Sequence, residues 1–106
     1  MDKKKSITII NNFVKKLGKD YNIDRIILFG SMAVGKPNKD SDIDLVIVSK
    51  DFEGMNRIQR GASMYNYWPW LIPVDFLCYT PEEFESLKSR VSIVKEAVDS
   101  GILIHS

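Results

Sequence analysis

The stretch I-I-L-F-G-S-M-A-V-G-K-P-N-K-D-S-D-I-D-L-V-I-V, residues 26–48, decides how the chain is read. Its two apolar runs, 26–29 and 43–48, are short, rich in β-branched residues and bounded by Gly, Pro, Asn and Asp, which is the pattern of buried strands. Gly30 and Ser31 stand where the first strand ends, and Asp42 and Asp44 where the second begins. Residues two apart on a strand point to the same side of a sheet, so Asp42 and Asp44 project together while Ile43 and Leu45 face the other way. Two like charges held side by side repel unless a cation joins them.

Working outward toward the N-terminus, Ile10, Phe13, Val14, Leu17 and Tyr21 recur at steps of three and four, one face of a helix over residues 6–21. Ser6 is read as its N-cap and Asn22 as a left-handed residue at its end. Lys3, Lys4 and Lys5 read as a solvated tail rather than a phosphate-seeking arm. A strand over 25–29 follows, then the Gly-Ser turn, room for a short helix at 31–34, and a loop of turn formers over 35–41.

Beyond the second strand, residues 56–67 suit a helix with Met55, Ile58, Ala62 and Tyr65 on one side, ended by Pro69. Gly54 and Gly61 weaken that pattern. A third apolar run, 71–79, contains one acid, Asp75, between Val74 and Phe76. A carboxylate in such a run needs a reason, because burying an unpaired charge is costly. Thr80-Pro81-Glu82-Glu83 then forms a capping box with proline at the first helical position. Phe84, Leu87 and Val91 give the helix that follows its core face. A last helix with Val94, Ala97 and Val98 stops at Gly101, and 102–104 make a short edge strand. The order of elements predicts an α/β domain, a small mixed sheet of three to four strands with helices packed on it.

Composition narrows the classes. The 106 residues suit one domain, 1–106, and 15 Lys plus Arg against 14 Asp plus Glu leave a formal charge of +1. No basic field supports direct nucleic-acid binding. One Cys and one His build neither a disulfide nor a zinc site, which favours a reducing, cytoplasmic setting. A signal peptide, a membrane span, internal repeats and low-complexity linkers are not expected.

The acids then carry the chemistry. Hard Mg²⁺ is usually held by one or two carboxylates together with phosphates and waters. With Asp75 on a neighbouring strand, Asp42, Asp44 and Asp75 could hold two metals for an in-line displacement, or Asp75 could take the proton of an attacking hydroxyl. Gly30 and Ser31 open a turn whose N–H groups and hydroxyl could grip phosphate, glycine letting the backbone approach closely. The bland alternative has Asp40, Ser41 and Asp42 merely capping a loop while Asp75 pairs with a basic residue; the Gly-Ser turn and the third acid tip the reading toward chemistry. Gly30 to Lys36 also match the first seven positions of a P-loop. Pro37 spoils the match by replacing the metal-binding hydroxyl and removing an N–H.

Gly-Ser, ten residues, Asp-x-Asp on the next strand and an acid between apolar residues on a later one together resemble the signature of the DNA polymerase beta-type nucleotidyltransferase superfamily. The short chain, F-G-S-x-A, S-D-I-D-L and P-V-D-F before T-P-E-E-F make it similar to the minimal nucleotidyltransferases encoded beside HEPN partners. The resemblance implies that Gly30 and Ser31 hold nucleotide phosphates and that Asp42, Asp44 and Asp75 form a Mg²⁺-binding catalytic triad. It implies transfer of AMP from ATP to a hydroxyl, a tyrosine on a HEPN ribonuclease toxin, with the chain acting as antitoxin. The family commonly has arginine where this chain has Val34, which removes a cation near the phosphates; Lys36 or Lys39 are the candidates to compensate. The implied partners are a HEPN-type toxin and a nucleoside triphosphate, in a hetero-complex or with self-association as the other arrangement.

Two classes of function remain. One is this enzyme. The other is a non-catalytic antitoxin that neutralises its toxin by contact, for which Tyr65, Tyr67, Trp68 and Trp70 are the candidate surface, with core packing as their ordinary role. The three acids discriminate, since a module that only binds has no evident use for them facing a phosphate turn.

Overall fold

The computed structural model describes residues 3–33 and 42–106. Its elements run α1 (Lys3–Leu17), β1 (Ile23–Phe29), β2 (Ile43–Ser49), α2 (Arg57–Met64), β3 (Val74–Tyr79), α3 (Pro81–Leu87), α4 (Ile93–Ser100) and β4 (Ile102–His105), with single 3₁₀ turns at Lys50–Phe52 and Tyr65–Tyr67. The sheet order is β3-β2-β1-β4. β1 pairs antiparallel with both β2 and β4, while β2 and β3 run parallel, so the sheet is mixed as expected. The parallel pair requires a crossover, and residues 50–73 with α2 supply it.

Strand alternation divides the core into two layers. Ile26, Leu28, Ile43, Leu45, Ile47, Val74 and Cys78 face α1 and α2, where Ile10, Phe13, Leu17, Phe52, Met64 and Trp68 complete one cluster. Ile27, Phe29, Val46, Val48 and Tyr79 face α3 and α4, against Phe84, Val94 and Ala97. Phe13 is central to the first layer, 5.2 Å from the Trp68 ring and 5.5 Å from Phe76. Burying a side chain of that size contributes about 1.5–3 kcal/mol.

Several boundaries differ from the sequence reading, each for a local reason. Helix α1 starts at Lys3, so Ser6 is no cap; it is buried inside the helix with its hydroxyl 3.4 Å from Met32 Sδ. The three lysines are helical residues rather than a tail. The helix stops at Leu17 without a left-handed Asn22, because no described residue other than glycine has positive φ. Asn22 instead donates its backbone and side-chain N–H groups to Asp51. After β1 a turn closed by Ala33 N–H to Gly30 C=O at 3.1 Å stands over residues 31–33, the described part of the helix expected at 31–34. Val34, Lys36, Pro37, Lys39, Asp40 and Ser41, with the loop at 35–41, lie outside the described residues.

Helix α2 forms where its capping box, Asn56 with Gln59, begins it, but the expected face is not the buried one. Ile58 is 84% exposed, whereas Arg60 and Met64 point inward. An apolar count misses this because the inward residue is an arginine. The Thr80–Glu83 capping box is present as read, yet α3 ends at Leu87, leaving Val91 fully exposed. Gly101 caps α4 with φ −82°, an ordinary conformation. Its lack of a side chain serves space, since a Cβ there would crowd Ile27 Cγ2 at 2.6 Å and the Leu28 carbonyl at 2.8 Å. Among the described residues no helix is long and apolar enough to cross a membrane.

Candidate active site

Parallel pairing sets β2 and β3 in a register that places Asp44 directly beside Asp75, with Ile43 beside Val74. On its other side Asp44 is the partner of Phe29, the last residue of β1. Alternation puts both acids on the face that α3 and α4 cover further along, where Val46, Val48 and Tyr79 are buried. At this end the cover stops. Asp75 and Asp42 are exposed and Asp44 is half-buried.

The electrostatics follow from that packing. The Asp44 carboxyl is pushed up from 3.8 to about 6, first by burial, then by the neighbouring Asp75 charge and the hydrogen bond the two carboxyls share, and last by Asp42. Each of these causes disfavours the charged form. The structure thus brings Asp44 and Asp75 together as a side-by-side pair, with Asp42 near enough for its charge to be felt. Among the described residues no three His, Cys, Asp or Glu side chains close into a metal cage. What they offer is an open, all-oxygen edge whose like charges have no ion-pair partner among the described residues. That donor set fits Mg²⁺, which takes few protein ligands and keeps room for water and phosphate.

Gly30 shapes the opposite wall. Its φ is +77°, a conformation that side chains disfavour. A Cβ at this position would also run into the Asp44 carboxylate, contacting Oδ2 and lying 3.3 Å from Cγ. Glycine is required here by the turn and by the acid together, which ties the two halves of the 26–48 stretch into one local structure. Ser31, next in the turn, is exposed beside this pair. The turn is also touched from α1, where Lys3 Nζ donates to the Ala33 carbonyl at 3.4 Å. Sequence reading missed this contact, although Lys3, Ser6, Ile10, Phe13 and Leu17 form one unbroken line of three- and four-residue steps.

Other candidates resolve as structure. Trp68 is buried with Nε1–H donating to Ile72 C=O at 2.8 Å. The Tyr65 hydroxyl donates to Val74 C=O and the Tyr67 hydroxyl to Asp20. Of the four aromatic residues only Trp70, 83% exposed, stands clear of the core. Burial pushes the Cys78 thiol up to about 12, so it is an inert core residue. His105 is a half-buried β4 residue, and with Tyr21, Asp24 and Lys50 it lines a cavity of about 470 Å³ at the other end of the sheet from the acids.

The nucleotidyltransferase domain family matches residues 7–104 of the chain. A Haemophilus influenzae protein named "Probable protein adenylyltransferase MntA" is 30% identical over 95 residues, which span 87% of this chain and 80% of that protein. The fold is similar to that of a candidate nucleotidyltransferase from Sulfolobus solfataricus, with a TM-score of 0.70 and 20% identity over 95% of this chain and 80% of the other. It is also similar to a chain in a toxin–antitoxin structure with AMP-PNP, at TM-score 0.58 and 22% identity over 90% of this chain and 72% of the other. A chain of a mutant MntA-HpeT toxin–antitoxin structure matches at TM-score 0.54 and 18% identity, over 100% of this chain and 74% of the other. A match over nearly the whole chain, together with paired acids facing a glycine turn, shows that the protein belongs to the nucleotidyltransferase family, as one of its minimal, MntA-like members.

Proposed function

We propose that this chain transfers AMP from ATP to a hydroxyl, that of a tyrosine on a HEPN-type ribonuclease toxin, and that it acts as an antitoxin by doing so. The observation that carries the reading is the register pairing of Asp44 with Asp75 beside Gly30: a like-charged pair, uncovered and set against a turn open to phosphate. The MntA relative and the toxin–antitoxin neighbours support the direction of the reading. Asp42, Asp44 and Asp75 would hold Mg²⁺. Once bound, that ion supplies charge neutralisation and a template for the triphosphate.

The chain's own residues do the rest by positioning. Gly30 and Ser31 hold phosphate oxygens while the acids fix the α-phosphate end. The acceptor hydroxyl oxygen attacks the α-phosphorus, its proton passes to the Asp75 carboxylate, and the bond to the β-phosphate breaks. Pyrophosphate leaves with the bonding electrons, and an AMP ester remains on the acceptor. Reactions of this kind depend mostly on orientation and electrostatics, which a domain of this size can provide. Neutralisation by contact alone draws less support, because Trp68 and the Tyr65 and Tyr67 hydroxyls are engaged within the fold.

The test is intact mass after incubation with Mg²⁺-ATP and a HEPN-type protein taken from the neighbouring gene. A gain of AMP moieties that vanishes with Asp42→Asn plus Asp44→Asn is expected. No gain, or one that survives the double substitution, overturns the proposal; toxin neutralisation retained by the double variant would favour the contact-only role.

A further inference from the structure

We infer that Lys3 contacts the nucleotide phosphates, reaching the Gly30–Ala33 turn from a helix that contributes no acid to the site; this rests on the reading of that turn as a phosphate binder. Helical spacing places Lys3 and Ser6 on one face of α1, one turn apart. Each meets the same short segment: Ser6 Oγ lies 3.4 Å from Met32 Sδ, and Lys3 Nζ lies 3.4 Å from the Ala33 carbonyl. Successive turns of the helix therefore meet successive residues of the phosphate turn. The helix cannot readily slide away, because Ser6, Ile10, Phe13 and Leu17 are buried along that line.

The neighbouring lysines are placed differently. Lys4 and Lys5 lie with Thr8 and Ile9 around a separate cavity of about 470 Å³. Among the described contacts, Lys3 is the lysine of this run that reaches the turn. Its present acceptor is a neutral carbonyl at a long distance, and an ammonium has three donors, so a phosphate oxygen arriving at the turn offers a stronger, charge-assisted bond. The placement also breaks a local rule. Three lysines occupy the first turn of α1, with no acid among them, where the helix dipole disfavours positive charge. An arriving polyanion offsets that penalty, and departures from local rules of this kind tend to fall at functional positions.

The experiment is calorimetric titration of Mg²⁺-ATP into the full chain and into Lys3→Gln, Lys3→Arg and Lys4→Gln, with melting curves recorded for each. Lys3→Gln should weaken ATP binding roughly ten-fold, the scale of one charge-assisted hydrogen bond. Lys3→Arg should restore most of it, and Lys4→Gln should stay within about two-fold. In turnover, Lys3→Gln should raise KM for ATP more than it lowers kcat. Wild-type binding with Lys3→Gln unchanged, or with Lys4→Gln weakened equally, overturns this inference alone. A wild-type chain that binds no Mg²⁺-ATP overturns the phosphate-turn reading and this inference with it.

Discussion

The two ends of β3 hold their charges in opposite ways. At its far end Arg60, nearly buried, donates to Met55 C=O at 2.9 Å, to Cys78 C=O at 3.2 Å and to Glu83 Oε1 at 2.6 Å, while Glu83 also completes the capping box of α3. Both of these charges have a partner within the fold. At the near end Asp44 stands beside Asp75 and near Asp42, like against like. The contrast separates a charge that builds the structure from a charge that the structure holds for something else. Burying a paired arginine specifies how α2, α3 and β3 meet; crowding carboxylates costs stability that a bound cation would return.

The acids at the two ends should accordingly respond to pH with opposite signs. Glu83 is held below its ordinary value, chiefly by the hydrogen bond from Arg60. It adds stability that is present above about 4.5, the ordinary carboxyl value, and is lost as pH falls through its lower folded value. Asp44 is raised to about 6, so its folded form favours the proton. Its stability is fully present below the unfolded value of 3.8 and is lost as pH rises through about 6. At neutral pH the ligand-free chain is therefore held together at one end and strained at the other.

The largest expected effect breaks the near end. Asp44→Asn should lower AMP transfer by roughly a thousand-fold, measured as label incorporated into the acceptor, because it removes charge from the proposed metal-binding edge. Next, Arg60→Ala should break the far end, costing about 3 kcal/mol in urea unfolding while the folded fraction keeps transfer within about two-fold. Gly30→Ala joins both kinds of damage on a smaller scale. A left-handed φ and a clash with the Asp44 carboxylate should together cost about 1–3 kcal/mol, with transfer falling as the acid is displaced. The smallest effect sharpens the contrast from outside: Trp70→Ser, at an exposed position, should change stability by no more than about 0.5 kcal/mol.

Much of this was legible in residues 26–48. The strands, the turn at Gly30 and the acids at the strand start follow from alternation and turn chemistry, and Asp75 stood out as an acid in an apolar run. What alternation could not give was partnership between strands. That Asp75 lies beside Asp44 depends on a parallel register fixed by the crossover through α2, a contact remote in sequence. Arg60 was hidden for a related reason: its guanidinium is satisfied by Met55, Cys78 and Glu83, acceptors spread along the chain, so a polar residue became core. Reading Ser6 as a cap leaves Lys3 outside the helix, since serine at a helix start and serine buried within a helix look alike until Met32 is placed against it. The turn chemistry of Gly30 suggests phosphate approach, and its second role, clearing space for Asp44, depends on the β1–β2 register.

The central claim, that the fold holds the Asp44 pair for a divalent cation that arrives with a nucleotide, is tested most directly by melting wild-type and Asp44→Asn chains at pH 8 with and without Mg²⁺-ATP. Without ligand the variant should be the more stable, by on the order of 1 kcal/mol once solvent screening is discounted. With ligand only the wild type should gain, by an amount that grows with concentration. The order of the two melting temperatures should cross. A variant that melts lower in the absence of ligand, or that gains as much as the wild type in its presence, would contradict the claim.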